Sequence, residues 1–138
     1  MAGMRIGYAM GSPALIRALN DVKYSYNSYT MNRPSLVMGV EAVKDEAYFR
    51  ETLNKIIKTR EEAKKRLTEL GFRCLDSASN FLFAEHENVP AEKIFTELKE
   101  EGIFVRYFNS ARIDNYLRIT VGTSEEMEKL YQALARYK

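Results

Sequence analysis

The chain has 138 residues, of which 46% are hydrophobic and 29% are charged. This is the composition of an ordinary globular domain and argues against disorder. A formal net charge of +2 gives no electrostatic case for nucleic acid or an anionic membrane. A single cysteine and a single histidine exclude an intramolecular disulfide and argue against a metal site built from these residues. No apolar run is long enough for a membrane helix and no signal peptide is visible, which predicts a cytoplasmic protein.

The first predicted element is a buried strand from Met4 to Met10. Its nearly continuous apolar run is typical of a strand covered on both faces of a parallel sheet. Such a strand needs neighbours on both sides, and unpaired strand edges associate with other chains. The sequence therefore predicts a homo-oligomer formed through residues 1–43, by chain-to-chain association or by strand exchange.

Two helices are predicted next. A serine–proline pair indicates a helix that begins at Pro13 and ends near Lys23. A loop over residues 24–34 follows, in which Arg33 is expected to be extended because it precedes a proline. Apolar spacing after Pro34 then predicts a short second helix.

A long helix is predicted over residues 46–70, with Asp45 as its N-cap and Gly71 just beyond its end. One face is apolar and the other is densely charged, with pairs such as Glu51 and Lys55 at i, i+4. The charged face is either a partner surface or a solvated helix face. The alternating signs favour the solvated face.

After residue 71 the hydrophobic period changes and predicts four short strands, over residues 72–75, 80–84, 103–108 and 116–121. A helix opened by Pro90 and closed by Gly102 separates the two pairs of strands. Thr123 and Glu126 form a capping box for the last helix. The predicted fold class is therefore mixed α/β (α+β), with a short, mostly antiparallel sheet covered by helices.

The motifs of the common enzyme classes are missing, including the phosphate-binding P-loop and the zinc-protease motif. Cys74 has no basic partner and is interpreted as a core residue. Glu85 and Glu87 are interpreted as surface carboxylates, and His86 between them as a solvated loop residue. No metal site is predicted.

Three arginines, Arg5, Arg106 and Arg118, interrupt otherwise apolar segments. A buried guanidinium is costly unless it meets an anion, and its planar fork binds a carboxylate or a phosphate with two hydrogen bonds. Any one of them is explained by an edge strand or an internal ion pair. The three together indicate a binding site for anionic small molecules.

A family resemblance adds to this interpretation, and it is carried by four segments: Ala2–Ala9, Ser79–Phe83, Gly102–Phe108 and Asn115–Thr123. The chain resembles the fold-type I, pyridoxal-phosphate-dependent aminotransferases, and within them the histidinol-phosphate aminotransferases, over essentially its whole length. The resemblance implies three regions: a remnant strand and helices of the large cofactor-binding domain (residues 1–43), a long connecting helix (44–71) and the small C-terminal α+β domain (72–138).

The resemblance also implies roles for four residues. Arg5 matches the arginine that holds the phosphate of the cofactor, and Arg118 matches the one that binds the carboxylate of glutamate. Arg106 matches the arginine at the phosphate end of histidinol phosphate, and Asn80 an asparagine beside the active-site cleft. The family moves an amino group between glutamate and imidazole-acetol phosphate in histidine biosynthesis, and it works as a dimer.

The chain departs from the family in one respect. The lysine that binds the cofactor belongs to a Ser-Lys motif upstream of the segment that contains Arg5, whereas Lys23 and Lys44 are predicted to be surface residues. This lysine is both the covalent anchor and the proton carrier of transamination. The expectation is therefore a partial chain without a catalytic residue, inactive alone and binding no pyridoxal phosphate of its own.

Two alternatives remain open at this stage. The first is another aminotransferase of the same fold type, acting on an aromatic or a phosphorylated amino acid. The second is a non-catalytic α+β module that binds small anions or proteins through the sheet of residues 72–138.

Overall fold

The computed structural model describes residues 2–138. The chain forms two compact units that divide between Arg50 and Glu51. The first unit is helical and the second contains the sheet.

The first unit begins with a short 3-10 helix, Ala2–Met4, followed by helix α1, Pro13–Tyr26. The hydroxyl of Ser12 accepts a hydrogen bond from the backbone N–H of Leu15 at 3.4 Å, so the predicted start of α1 is confirmed. The helix ends three residues later than expected.

Helix α2, Arg33–Lys44, begins two residues earlier than expected. The side chain of Asn32 accepts the backbone N–H of Ser35 at 2.8 Å and caps the helix. Arg33 is therefore helical, and the prediction of an extended Arg33 is wrong. The proline that follows occupies a first-turn position, where its missing N–H costs no helical hydrogen bond.

The predicted strand from Met4 to Met10 is absent. Residues 5–12 have no regular secondary structure, and Ile6, Tyr8 and Met10 are exposed. A strand needs a neighbour to satisfy its backbone N–H and C=O groups, and no other strand lies among residues 2–50 as described. The prediction of a remnant strand is therefore wrong, whereas association between chains through residues 1–43 stays a prediction.

Helix α3, Glu46–Glu69, is the predicted long helix. The Asp45 side chain accepts the backbone N–H of Tyr48 at 3.2 Å, and Gly71 follows the helix with a φ of +85°. The pair of Glu51 and Lys55 forms at 2.5 Å between exposed side chains, as expected for a solvated face.

The second unit contains a four-stranded antiparallel sheet in the order β1-β2-β4-β3, with strands β1 (Phe72–Cys74), β2 (Phe81–His86), β3 (Arg106–Tyr107) and β4 (Leu117–Thr120). Its register places Leu82 opposite Ile119. The predicted fold class is confirmed. Strand β3 is shorter than predicted, because only Arg106 and Tyr107 pair with β4.

Helices cover one face of this sheet. They are α4, Ala91–Glu100, and α5, Ser124–Leu134, with the predicted capping box of Thr123 and Glu126 present. The hydrogen bond from the Thr123 backbone N–H lowers the pKa of the Glu126 carboxyl. The core combines the inner face of the sheet, these two helices and one face of α3, and its largest fully buried side chains are Leu67, Phe72, Leu82, Ile94, Leu98, Leu117, Ile119 and Leu134.

His86 lies in this core with a relative exposure of 3%, so its assignment to a solvated loop is wrong. Strand β2 runs two residues further than predicted, and alternation places His86 on the inner face with Leu82. Its Nδ1 accepts the backbone N–H groups of Asn88 and Val89, both at 3.1 Å, and thereby shapes the turn after the strand.

Candidate functional site

Two arginines from neighbouring strands lie on the face of the sheet that the helices leave free, called here the outer face. Arg106 of β3 stands directly opposite Arg118 of β4 in the antiparallel register. Like charges in this position repel each other. Among residues 2–138 neither guanidinium forms an ion pair with a carboxylate. The arrangement therefore favours an anion that comes from outside the described residues.

Arg118 gives the strongest indication of such an anion. Its Nε atom is buried and has no hydrogen-bond partner among the described residues. A buried donor without an acceptor costs on the order of 1–3 kcal/mol. Its guanidinium carbon lies 5.3 Å from the ring centre of Phe81 and 5.7 Å from that of Phe108, within cation–π distance of both.

Arg106 shares one of these rings. Its guanidinium carbon lies 5.5 Å from the ring centre of Phe108, while the side chain itself is exposed. The two arginines thus contact a common aromatic ring from adjacent strands. This geometry holds two positive charges on one surface, where a carboxylate or a phosphate can approach from solvent.

The carboxylate nearest in register on the outer face is already engaged. Glu85 of β2 accepts hydrogen bonds from Arg73 Nε at 2.6 Å and from the Tyr116 hydroxyl at 3.1 Å, and Arg73 also donates to Tyr116 at 2.8 Å. Burial opposes ionisation of Glu85, but these hydrogen bonds outweigh it and lower the pKa of its carboxyl. Glu85 is a structural carboxylate at 18% side-chain exposure rather than a freely exposed one.

Aromatic rings connect this network to the two arginines. The ring of Tyr116 stacks on Phe83, with ring centres 4.6 Å apart and planes 9° from parallel. Phe83 in turn contacts Phe108 edge-on, with ring centres 6.5 Å apart. Burial, followed by the hydrogen bond to Glu85, raises the pKa of the Tyr116 hydroxyl, so this tyrosine stays neutral.

Asn80 lies beside the strand that carries Arg118. Its carbonyl oxygen accepts the backbone N–H of Val121 at 2.9 Å, which continues the pairing of β2 with β4, and Asn80 itself is exposed. Arg60 of α3, only 12% exposed at its side chain, donates to the carbonyl of Ser79 at 3.0 Å. Sequence analysis missed Arg60, because only the folded turn brings it next to Asn80.

Arg5 belongs to the first unit. It is exposed and has a φ of +56°, a left-handed backbone conformation that is uncommon for a non-glycine residue. The structure therefore brings together Arg106 and Arg118, with Asn80 immediately before β2, while Arg5 lies in the other unit.

Other chemical centres are not supported. Burial raises the pKa of the Cys74 thiol to about 11, against the opposing charge of Lys64, and Cys74 packs against the core as predicted. No group of three or more potential metal-ligating side chains is found within residues 2–138. No helix in the described part of the chain is both long and apolar enough to cross a membrane.

Comparison with known families is consistent with this site. The profile of the family described as aminotransferase class I and II matches residues 1–134. The chain therefore belongs to the class I and II aminotransferases.

Within that family the most similar proteins found include histidinol-phosphate aminotransferases. The enzyme of Brachyspira hyodysenteriae is 54% identical over 128 residues, which is 93% of this chain and 36% of that protein. The enzyme of Clostridium acetobutylicum is 50% identical over 129 residues, 94% of this chain and 37% of that protein. The predicted resemblance is confirmed, and the chain spans little more than a third of the length of the curated relatives it matches.

The chain also aligns with solved structures of histidinol-phosphate aminotransferases. The histidinol-phosphate aminotransferase of Sinorhizobium meliloti, crystallised with pyridoxal-5'-phosphate, aligns with 99% of this chain and 37% of its own at a TM-score of 0.85 and 28% identity. The histidinol-phosphate aminotransferase of Clostridium acetobutylicum aligns with 83% of this chain and 36% of its own at a TM-score of 0.75 and 25% identity.

Proposed function

We propose that this chain is the substrate-anion-binding part of a histidinol-phosphate aminotransferase, which moves an amino group between glutamate and imidazole-acetol phosphate. The observation that carries the proposal is the buried, unpartnered Nε of Arg118 directly opposite Arg106. The identity to histidinol-phosphate aminotransferases supports it. Both amino-group donors, glutamate and histidinol phosphate, are anionic, as two unpaired arginines require.

The proposed roles follow the chemistry of each side chain. Arg118 binds the glutamate carboxylate through its planar fork, and Arg106, which is more exposed, binds the phosphate of histidinol phosphate. Asn80 contributes an amide beside them. Arg5 binds the phosphate of the cofactor.

Pyridoxal phosphate fits this chain only in part. Arg5 is an exposed guanidinium suited to a phosphate, but Lys44 is paired with Glu41 at 2.9 Å and Lys23 lies over the ring of Tyr24. Neither lysine has the surroundings of a covalent anchor. When bound, the cofactor supplies the electron sink of transamination. We propose that the anchoring lysine belongs to residues outside these 138.

We also propose how the chain is divided, where it is located and how it associates. Residues 1–43 belong to the large cofactor-binding domain, residues 44–71 to the connecting helix and residues 72–138 to the small domain. The protein is proposed to be cytoplasmic and to form a homo-oligomer through residues 1–43. Support for the last point comes from α1 and α2, whose large apolar side chains are exposed, among them Leu15, Leu19, Val22, Leu36, Val37, Val40 and Val43.

A titration tests the proposed ligand class. With ¹⁵N-labelled chain, we expect histidinol phosphate to shift the Nε–Hε signal of Arg106 through its phosphate, and glutamate to shift the Nε–Hε signal of Arg118 through its carboxylate. Histidinol, which lacks the phosphate, is the matched control and is expected to leave both signals in place. Equal shifts of the Arg106 signal with histidinol phosphate and with histidinol contradict the proposal. If phosphoserine binds as strongly as histidinol phosphate, the result indicates an aminotransferase for another phosphorylated amino acid.

An activity assay tests the second part of the proposal. Purified chain supplied with pyridoxal phosphate, glutamate and imidazole-acetol phosphate is expected to form no 2-oxoglutarate, since no lysine described here is placed to anchor the cofactor. The matched positive control is a full-length relative under the same conditions. Turnover by the chain alone contradicts this expectation.

One specific observation favours the alternative of a non-catalytic module. Residues 51–138 form a compact unit of their own with a continuous core. Anion binding is compatible with both functions, so the decisive result is whether transaminase activity appears when the chain is combined with the cofactor-anchoring part of a relative. Restored activity supports the aminotransferase, and its absence despite formation of the complex supports the module.

A further inference from the structure

We propose that Phe108 is a positioning residue that holds Arg106 and Arg118 at a fixed spacing for an anionic ligand. The proposal deepens the function proposed above and rests on it. It starts from the position of the Phe108 ring, whose centre lies 5.5 Å from the guanidinium carbon of Arg106 and 5.7 Å from that of Arg118.

The two arginines need such a support because neither is held by an ion pair within residues 2–138. Their opposed register also brings two positive charges together. An arginine side chain loses considerable rotamer freedom when it is fixed. The negative face of an aromatic ring attracts a guanidinium. A ring shared by both arginines therefore orders them and offsets part of their repulsion without occupying their hydrogen-bond donors.

Phe108 is itself held from the opposite end of the outer face. Its ring contacts Phe83, which stacks on Tyr116. The hydroxyl of Tyr116 is fixed by hydrogen bonds with Arg73 and Glu85. The hydrogen bonds among Arg73, Glu85 and Tyr116 thus support Phe108 through Phe83. Phe108 in turn orders the two arginines that have no ion pair.

The contacts of the Phe81 ring provide a way to test the role of Phe108. Phe81 contacts the guanidinium of Arg118 at 5.3 Å, and no cation–π contact between Phe81 and Arg106 is found within residues 2–138. Loss of Phe108 therefore affects both arginines, whereas loss of Phe81 affects Arg118 alone. Phe104, with 77% exposure, lies outside these contacts and serves as a neutral site.

The experiment compares Phe108→Leu, Phe81→Leu, Phe108→Tyr and the control Phe104→Leu in the ¹⁵N-labelled full chain, with inorganic phosphate as the probe. We expect Phe108→Leu to shift the Nε–Hε signals of both Arg106 and Arg118 and to weaken phosphate affinity by about fivefold to tenfold, as two lost cation–π contacts imply. Phe81→Leu is expected to shift the Arg118 signal only. Phe108→Tyr keeps the ring and is expected to restore both signals, and Phe104→Leu changes neither.

The proposal is overturned if Phe108→Leu leaves both arginine signals unchanged while the backbone spectrum shows a folded chain. It is also overturned if Phe108→Leu and Phe104→Leu produce the same shifts. If the unsubstituted chain binds no phosphate, the anion-binding function fails. The signal shifts of the two leucine variants then still support or overturn the positioning by Phe108, so the two failures are distinguishable.

Discussion

Arg118→Gln is expected to weaken the binding of glutamate by at least about tenfold, because a hydrogen bond to a charged group contributes about 1.5–3 kcal/mol. The substitution removes both the charge and the planar fork, and with them the unpartnered Nε donor. The measurement is the dissociation constant from the titration described above. Because Arg118 has no acidic partner within residues 2–138, the fold does not depend on an ion pair that the substitution would break.

Two further variants separate geometry from charge. Arg118→Lys keeps the charge but loses the fork, and we expect it to recover only part of the affinity. Arg50→Gln removes one positive charge from an exposed position on α3, where Arg50 is paired with Glu46, and it is expected to leave affinity within about twofold. Equal losses in Arg118→Gln and Arg50→Gln would show that net charge, rather than the placement of Arg118, determines binding.

Gly71→Ala is expected to lower the free energy of unfolding by about 2–3 kcal/mol. Its φ of +85° costs a residue with a Cβ about 1–2 kcal/mol. A Cβ at this position would also lie 3.0 Å from Nε2 of His86, a ring that is buried in the core and cannot move away freely. Urea unfolding followed by circular dichroism measures the change.

Gly102→Ala is the matched control. Gly102 has a similar φ of +76°, but nothing lies within 4 Å of the position its Cβ would take. We expect a loss of only about 1–2 kcal/mol there, from the backbone conformation alone. If the two variants lose equal stability, the contact with His86 contributes nothing, and the explanation for Gly71 is wrong.

Local signals predicted much of the fold. Three helices begin where the sequence predicts, after Ser12, Asp45 and Thr123. Each of these residues has a short polar side chain that accepts a backbone N–H within the next turn. The end of α3 follows from Gly71, because glycine adopts a positive φ at little cost. These are interactions between residues a few positions apart, so they can be recognised in the sequence without knowledge of the fold.

The errors have a common origin. The apolar run from Met4 to Met10 has the composition of a buried strand, but a strand exists only when another strand accepts its hydrogen bonds, and residues 2–50 provide none. His86 stands between two glutamates in the sequence, yet the alternation of β2 turns it into the core. In both cases the partners are distant in the sequence or missing from the unit.

In the candidate site, too, the sequence indicated some features and only the tertiary structure determined the others. The residue types alone indicated arginines suited to anions, since a guanidinium in an apolar segment needs a negative partner, and the family motifs implied which residue meets which group. Only the pairing of β3 with β4 placed Arg106 opposite Arg118. Only the packing of the outer face assigned Glu85 to Arg73 and left Arg118 Nε without an acceptor. Helix caps and residue types depend on residues close together in the sequence and can be recognised from it. Strand register and shared aromatic contacts form only when strands that are far apart in the sequence pair in the folded chain.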